Sequence, residues 1–361
     1  MDRCSEGCAG GKLRRDLTAV VRVALGVLAG LPLLGEAAPS DDARARRAPV
    51  VTLYFENDVF SGTDQDYTNG VKLSWLSADL VDWGQSGWRR DILELLPFVN
   101  REGGQKAIGF ALGQNIYTPR DTRAKIPSPT DRPYAGWTYL EMAFVSKTKE
   151  ISDTLSVQVG LIGPHSQAED SQRIIHRWIK SAEPQGWDYQ LRDEVGANLV
   201  YERRWRLYGR AVSDLLGVDL VPHVGASLGN VQTYANVGGT LRFGLNLPSD
   251  FGVQLARPGS LGGTPADDLD PRVALDRNTS LFLFGAVDGR AVARDLFLEG
   301  NTFRESRSVE KRTYVADWAL GAGLIAGPWQ LTYTQVWRTR EFETQADGNV
   351  HFGSVSVSRA Y

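Results

Sequence analysis

The densest run of chemically capable side chains in this 361-residue chain lies between Tyr54 and Gly70. Glu56, Asn57 and Asp58 come first, and Asp64, Gln65, Asp66, Thr68 and Asn69 come soon after. Carboxylates and carboxamides grouped this way form an oxygen-rich set suited to a hard cation such as calcium. No EF-hand spacing is present. The same residues also suit a polar turn between two strands, where Asn and Asp favour the backbone geometry. A second segment, residues 169–182 (EDSQRIIHRWIKSA), places Ile174, Ile175, Trp178 and Ile179 at helical spacing with charges between them. It predicts a short amphipathic helix in a chain otherwise patterned for strands.

The elements that must hold these groups are strands. Leu155, Val157, Val159 and Leu161 alternate with Thr154, Ser156, Gln158 and Gly160, and Leu140, Met142 and Phe144 alternate with Tyr139, Glu141 and Ala143. Val218, Leu220, Pro222 and Val224 alternate with Asp219 and His223 in the same way. One face is apolar and the other polar or small, which suits lipid outside and a polar interior. Strand candidates lie near 50–56, 67–77, 107–117, 137–146, 154–162, 194–207, 217–229, 235–246, 279–300, 311–325, 328–340 and 349–361. These make an even number, as bacterial single-chain barrels require. Asp288-Gly289 inside 279–300 could instead be a hairpin turn, giving one strand more.

A soluble β-sandwich shares such alternation. Three features favour a barrel. Aromatic residues gather toward strand ends (Trp75 and Trp83, Trp137 and Tyr139, Trp329 and Trp337), as in girdles at membrane interfaces. The strands are long and numerous. The last strand carries Val355, Val357 and Tyr361 on one face, an apolar row interrupted by Arg359. The fold expected is all-β: a twelve-stranded antiparallel transmembrane β-barrel with a short helix in one extracellular loop.

Composition agrees. Lys and Arg total 40 against 43 Asp and Glu, so the basic excess of a nucleic-acid binder is missing. Mean hydropathy is −0.27 and no later apolar run is long enough for a membrane helix. Residues 1–38 read as a signal peptide, with Arg14, Arg15 and Arg22 before the apolar run Val23–Leu34 and small residues at Gly35 and Ala37. Residues 39–49 read as a flexible lead-in and 50–361 as the barrel. Cys4 and Cys8 both fall in the segment expected to be removed, so no disulfide is expected in the mature chain. Arg203, Arg204 and Arg206 read as a strand end meeting anionic head groups.

The string FENDVFSGTDQDYTNGVKLSW, residues 55–75, resembles the opening signature of the lipid A 3'-O-deacylase family of outer-membrane barrels. Ile116-Tyr117-Thr118-Pro119 with Asp131-Arg132-Pro133-Tyr134-Ala135-Gly136 is similar to that family's next block. Gly160–Pro164, then Gln172 and His176, then Gly186-Trp187, are similar to its helical segment. The resemblance covers nearly the whole chain from residue 50. It implies a twelve-stranded barrel with 279–300 as one bent strand, hydrolysis of the 3' acyl ester of lipid A, and dependence on a divalent cation, usually calcium. By motif it implies Asn57, Asp58, Thr68, Gln172 and His176 as catalytic residues. Asp58 is the implied metal ligand together with Glu183, which stands one position out of register with the family's acid. Arg123 and Lys125 are the implied contacts to lipid phosphate. The partners implied are lipopolysaccharide and the outer membrane, with the protein expected as a monomer.

An ester hydrolase needs an activated nucleophile and a partner for the oxyanion. The imidazole of His176 suits general-base work near neutral pH. Gln172 and His176, four apart, would share one helix face. Asn57, Thr68 and Gln172 could donate to the oxyanion or orient water, and calcium on Asp58 could polarise the carbonyl. His165, His223 and His351 read as solvated or satisfied polar groups. Two rivals stand beside this reading: a calcium-dependent outer-membrane phospholipase, which would need a His-x-Ser element, and a non-catalytic pore or structural barrel.

Overall fold

The computed structural model describes residues 49–58, 66–80, 83, 104–179, 181–207, 215–253, 261, 263–274, 278–346 and 350–361. The expected signal peptide and nearly all of the lead-in lie outside these residues, as does Asp64.

Twelve strands form: β1 Val50–Asn57, β2 Asp66–Leu76, β3 Gln105–Thr118, β4 Ala135–Lys147, β5 Ile151–Ile162, β6 Glu194–Trp205, β7 Leu216–Gly229, β8 Gln232–Leu245, β9 Thr279–Asp295, β10 Tyr314–Ala326, β11 Trp329–Arg338 and β12 Val350–Ala360. Each pairs antiparallel with its sequence neighbours, and β1 pairs with β12 to close the barrel. With an even count, the start of β1 and the end of β12 share one end, here called the lower end. The connections β1–β2, β3–β4, β5–β6, β7–β8, β9–β10 and β11–β12 lie at the upper end. Two helices interrupt the pattern, α1 (Ala168–Ile179) in the β5–β6 connection and α2 (Leu296–Glu299) after β9.

The hairpin alternative within 279–300 does not occur. Asp288 pairs with Gly238 on β8 and Asp317 on β10, with no break in either ladder around it. The strand stops at Asp295, whose carboxylate accepts from the Phe297 N–H at 3.0 Å, while Glu299 accepts from the Asp295 N–H at 2.9 Å. That reciprocal cap turns the last residues of the predicted strand into α2.

The alternation sorts the wall as expected. Leu140, Val159, Leu161, Leu228, Leu241, Leu283 and Leu320 are exposed on the outside, and Ser156, Gln158, Asn198, Thr240 and Thr332 are buried inside. Lys72 and Glu141 meet across the lumen at 2.7 Å, and Gln158 donates to the same carboxylate at 3.1 Å. Arg359 breaks the apolar row of β12 by laying its guanidinium over Trp329 and Tyr361, 5.2 and 4.5 Å from the ring centres. The girdle reading fails for Trp137 and Tyr139. Trp137 and Tyr139 share the inward face of Glu141, stack at 4.2 Å, and pack with Tyr117 and Phe297 in the main core cluster. Trp83 is buried against Phe144. Aromatic identity does not decide direction; strand parity does.

The lower end is closed by the β8–β9 connection folding back into the lumen. Leu261 packs against Leu76, Ala107, Ala111, Ala143 and Val145, and Phe251 against Val221 and Ala266. Buried ion pairs tie it down: Arg242 to Asp219 and Asp250, each at 2.5 Å, and Arg272 to Asp250 and Asp270, each at 2.7 Å. Arg204 donates to the Phe251 carbonyl at 3.1 Å and Arg206 to Ser249 at 2.5 Å, so both serve this plug rather than head groups. Arg203 pairs with Asp153 at 2.6 Å.

Candidate functional site

On β3 the alternation leaves Gln114, Ile116 and Thr118 on the outer face, in line with the exposed Phe110 and Leu112 below them. Ile116 and Thr118 are nonetheless buried, because the β5–β6 connection folds down over the outside of the wall. Ile116 clusters with Tyr134, Ala168 and Trp187, and α1 packs on β3 and β4. The contact is close: a Cβ on Gly136 would collide with Ala168 and Ser166. The Ser166 carbonyl accepts from Thr138 at 2.7 Å and from Gln114 at 2.8 Å, pinning the connection to the wall.

The buried face of α1 is not its most apolar one. Ile174 is 44% exposed, whereas Gln172 and His176 are 1% and 2% exposed. Polar groups displacing an isoleucine from the covered face mark a site rather than a packing solution. Both are held from outside the helix. The Trp187 indole donates to Gln172 Oε1 at 2.8 Å, and the Trp187 ring lies 4.9 Å from Tyr134. His176 Nδ1 lies 2.6 Å from the Ala182 carbonyl. A carbonyl only accepts, so Nδ1 carries the proton and Nε2 holds the lone pair of the neutral ring.

The second half of the site comes from β1 and β2. Thr52 and Glu56 face the lumen, so Asn57 falls on the outer face, where it is buried; Asp58 comes next, also buried. Asn57 stands directly opposite Asn69 on β2. Between Tyr67 and Asn69 the β2–β3 ladder slips, and Thr68 has no partner across from it. Such bulges gather beside active sites because they re-aim neighbouring side chains. The Thr68 side chain lies outside the described residues. Thus β1 and β2 bring Asn57, Asp58 and Asn69 to the upper rim of the wall, beside β3 and β4, on which α1 buries Gln172 and His176.

The remaining expected residues sit differently. Arg123 and Lys125 are exposed on the β3–β4 connection, whose Thr122 carbonyl accepts from Tyr134 at 3.2 Å. Tyr134 in turn lies 4.9 Å from the Trp187 ring, so this connection reaches Trp187 through Tyr134. Glu183 is exposed. Among the described residues no three carboxylate or imidazole groups converge as a metal cage. Calcium takes about six to eight oxygens, carbonyls, carboxamides and waters among them; of its two expected ligands, Asp58 is buried at the end of β1 and Glu183 is exposed. The other histidines are engaged elsewhere: His165 with Asp193 at 2.8 Å, His223 with Asp288 at 2.9 Å inside the barrel, and His351 edge-on to Trp337.

Among the described residues, two buried donors here have no acceptor: Gln172 Nε2 and Asn69 Nδ2. Asn69 was not among the residues expected from sequence. It occupies the variable position of the Tyr-Thr-x-Gly element. The available signal was its carboxamide beside Thr68 at a strand end. The arrangement offers a base with its lone pair on Nε2 and two amide donors on the outer face of the wall, with the Asp58 carboxylate buried at the upper end of β1.

A profile of the family described as Outer membrane protein LpxR matches residues 23–361. No curated protein matches the chain. Among solved structures, LpxR from Salmonella typhimurium is similar at 18% identity and a TM-score of 0.66, over 86% of this chain and 100% of that one. The β-domain of the Bordetella autotransporter BrkA is similar at 10% identity and a TM-score of 0.39, over 87% of this chain and 99% of that one. The chain belongs to the LpxR family of outer membrane proteins, the lipid A 3'-O-deacylase family its motifs resemble, and is an integral outer-membrane β-barrel.

Proposed function

We propose that this protein is a carboxylic ester hydrolase that removes the 3'-linked acyloxyacyl group of lipid A in the outer membrane. The observation that carries the reading is the buried Gln172–His176 pair on the outer, lipid-facing side of the wall. A substrate whose acyl chains stay in the membrane reaches that side by lateral diffusion and never enters the lumen. His176 Nε2 takes a proton from water as the water oxygen bonds to the ester carbonyl carbon. The carbonyl electrons move onto oxygen, and amide donors such as Gln172 Nε2 stabilise the oxyanion. Collapse breaks the bond to the sugar oxygen, which takes the proton back from His176. Asn57 and Asp58 orient the water and substrate, Thr68 assists them, and Arg123 and Lys125 meet lipid phosphate at the rim.

Calcium dependence, with Asp58 and Glu183 as ligands, is a separate proposal resting on the family resemblance. The phospholipase rival would need a His-x-Ser element, and none follows any of the four histidines; Ser166, adjacent to His165, donates to the Gly163 carbonyl at 2.6 Å. The pore rival conflicts with the closed lower end. Mass spectrometry of lipid from cells expressing the chain, with and without chelator, separates the readings. Loss of the 3' acyl group supports deacylation, lysophospholipid supports the first rival, and unchanged lipid the second. Activity that survives chelation removes the need for a cation.

A further inference from the structure

Asn69 is 2% exposed, and among the described residues its Nδ2 has no hydrogen-bond acceptor. A buried donor left unpaired lowers the stability of a fold, so its retention calls for a reason outside packing. Some other orphaned donors, such as Trp137 Nε1 and Tyr139 Oη, line the polar lumen. Asn69 does not. It lies on the outer face of β2, opposite Ile116 of β3, the residue that α1 and Trp187 cover. Its other neighbour across the ladder is Asn57. Directly opposed residues in an antiparallel pair have Cβ atoms about 5 Å apart, so the two carboxamides act on one small volume. The slip of the ladder at Thr68 fixes this register, since Asn69 is the first residue after it.

We infer that Asn69 is a further catalytic residue, its Nδ2–H donating to the oxyanion formed at the ester carbonyl, with Gln172 Nε2 as the second donor. The inference deepens the proposed deacylase reading and rests on it. A neutral amide suits the role. It gains a hydrogen bond as negative charge develops on oxygen, and it takes no part in the proton transfer handled by His176. The substrate it recognises is an ester carbonyl on an acylated lipid lying against the outer wall, which is where an unpaired donor at this position is of use.

The test is a comparison of Asn69→Ala, Asn69→Asp and His176→Ala in the full-length barrel, purified in detergent and supplied with lipid A in mixed vesicles. Folding is read from heat-modifiable migration on gels. Asn69→Ala is expected to lose on the order of 10²–10³ in kcat with little change in KM. Asn69→Asp, nearly identical in shape, puts an acceptor where a donor is needed and is expected to be at least as impaired. It also stands in if the alanine variant fails to fold. A folded Asn69→Asp or Asn69→Ala barrel with wild-type kcat, while His176→Ala is inactive, overturns the Asn69 assignment and leaves the deacylase reading intact. A change confined to KM overturns it equally. Deacylation that survives His176→Ala, or no deacylation by wild type, overturns the deacylase reading itself and this inference with it.

Discussion

Trp187→Phe tests how the site holds its amide. In the native protein the Trp187 indole donates to Gln172 Oε1 at 2.8 Å, and Gln172 is almost wholly buried. That bond fixes which end of the carboxamide points away from Trp187, and so presents Nε2 as a donor. Phenylalanine keeps an aromatic ring beside Tyr134, now 4.9 Å from the indole, but removes the only N–H the ring supplies. The buried acceptor then loses its partner at a cost of about 1–3 kcal/mol. The same energy no longer opposes rotation of the amide. At about 1.4 kcal/mol per tenfold, kcat should fall roughly 5- to 150-fold. The loss should be smaller than for removing the amide altogether, because Gln172 still visits the productive orientation. Initial rates of 3' acyl release from lipid A in vesicles, measured by mass spectrometry over a range of substrate, give kcat and KM separately. A folded Trp187→Phe barrel with wild-type kcat would show that the indole bond does not orient Gln172 for the reaction. An effect confined to KM would contradict that role as well.

The lumen supplies two further tests. Lys72→Met leaves Glu141 buried with Gln158 as a neutral partner, and breaking such a pair costs about 3–5 kcal/mol; the temperature at which the folded gel band is lost should drop accordingly, and an unchanged temperature would mean the pair adds nothing. In planar bilayers the native barrel should give no steady conductance, whereas Arg242→Ala combined with Arg272→Ala, which releases Asp219, Asp250 and Asp270, should give discrete openings. Steady current through the native protein would refute the plug.

Much of the wall was legible because period-two alternation is local. Leu140 and Glu141 fall on opposite faces in any strand, so lipid lies outside and polar groups inside. Direction was lost where residue type was used in place of parity: Trp137 and Tyr139 are aromatic near a strand end, yet they lie on the Glu141 face. Motif resemblance singled out Asn57, Asp58, Gln172 and His176, and the structure shows all four buried. The helical pattern pointed to Ile174 as a packing residue, but the covered face was claimed by Gln172 and His176, which tertiary contact alone reveals. Asn69 was hidden because its importance lies in having no partner, a property of the assembled site. The plug was hidden because Asp219, Arg242, Asp250 and Arg272 come together only when the long β8–β9 connection turns back into the barrel.

The central claim is that His176, on the outer wall, drives removal of the 3' acyl group of lipid A. Incubation of defined lipid A with purified native barrel and with folded His176→Ala, followed by mass spectrometry, tests it most directly. Loss of the 3'-linked acyl mass is predicted with the native protein, and intact lipid A with the variant. Intact lipid A with both, or equal deacylation by both, would contradict the claim.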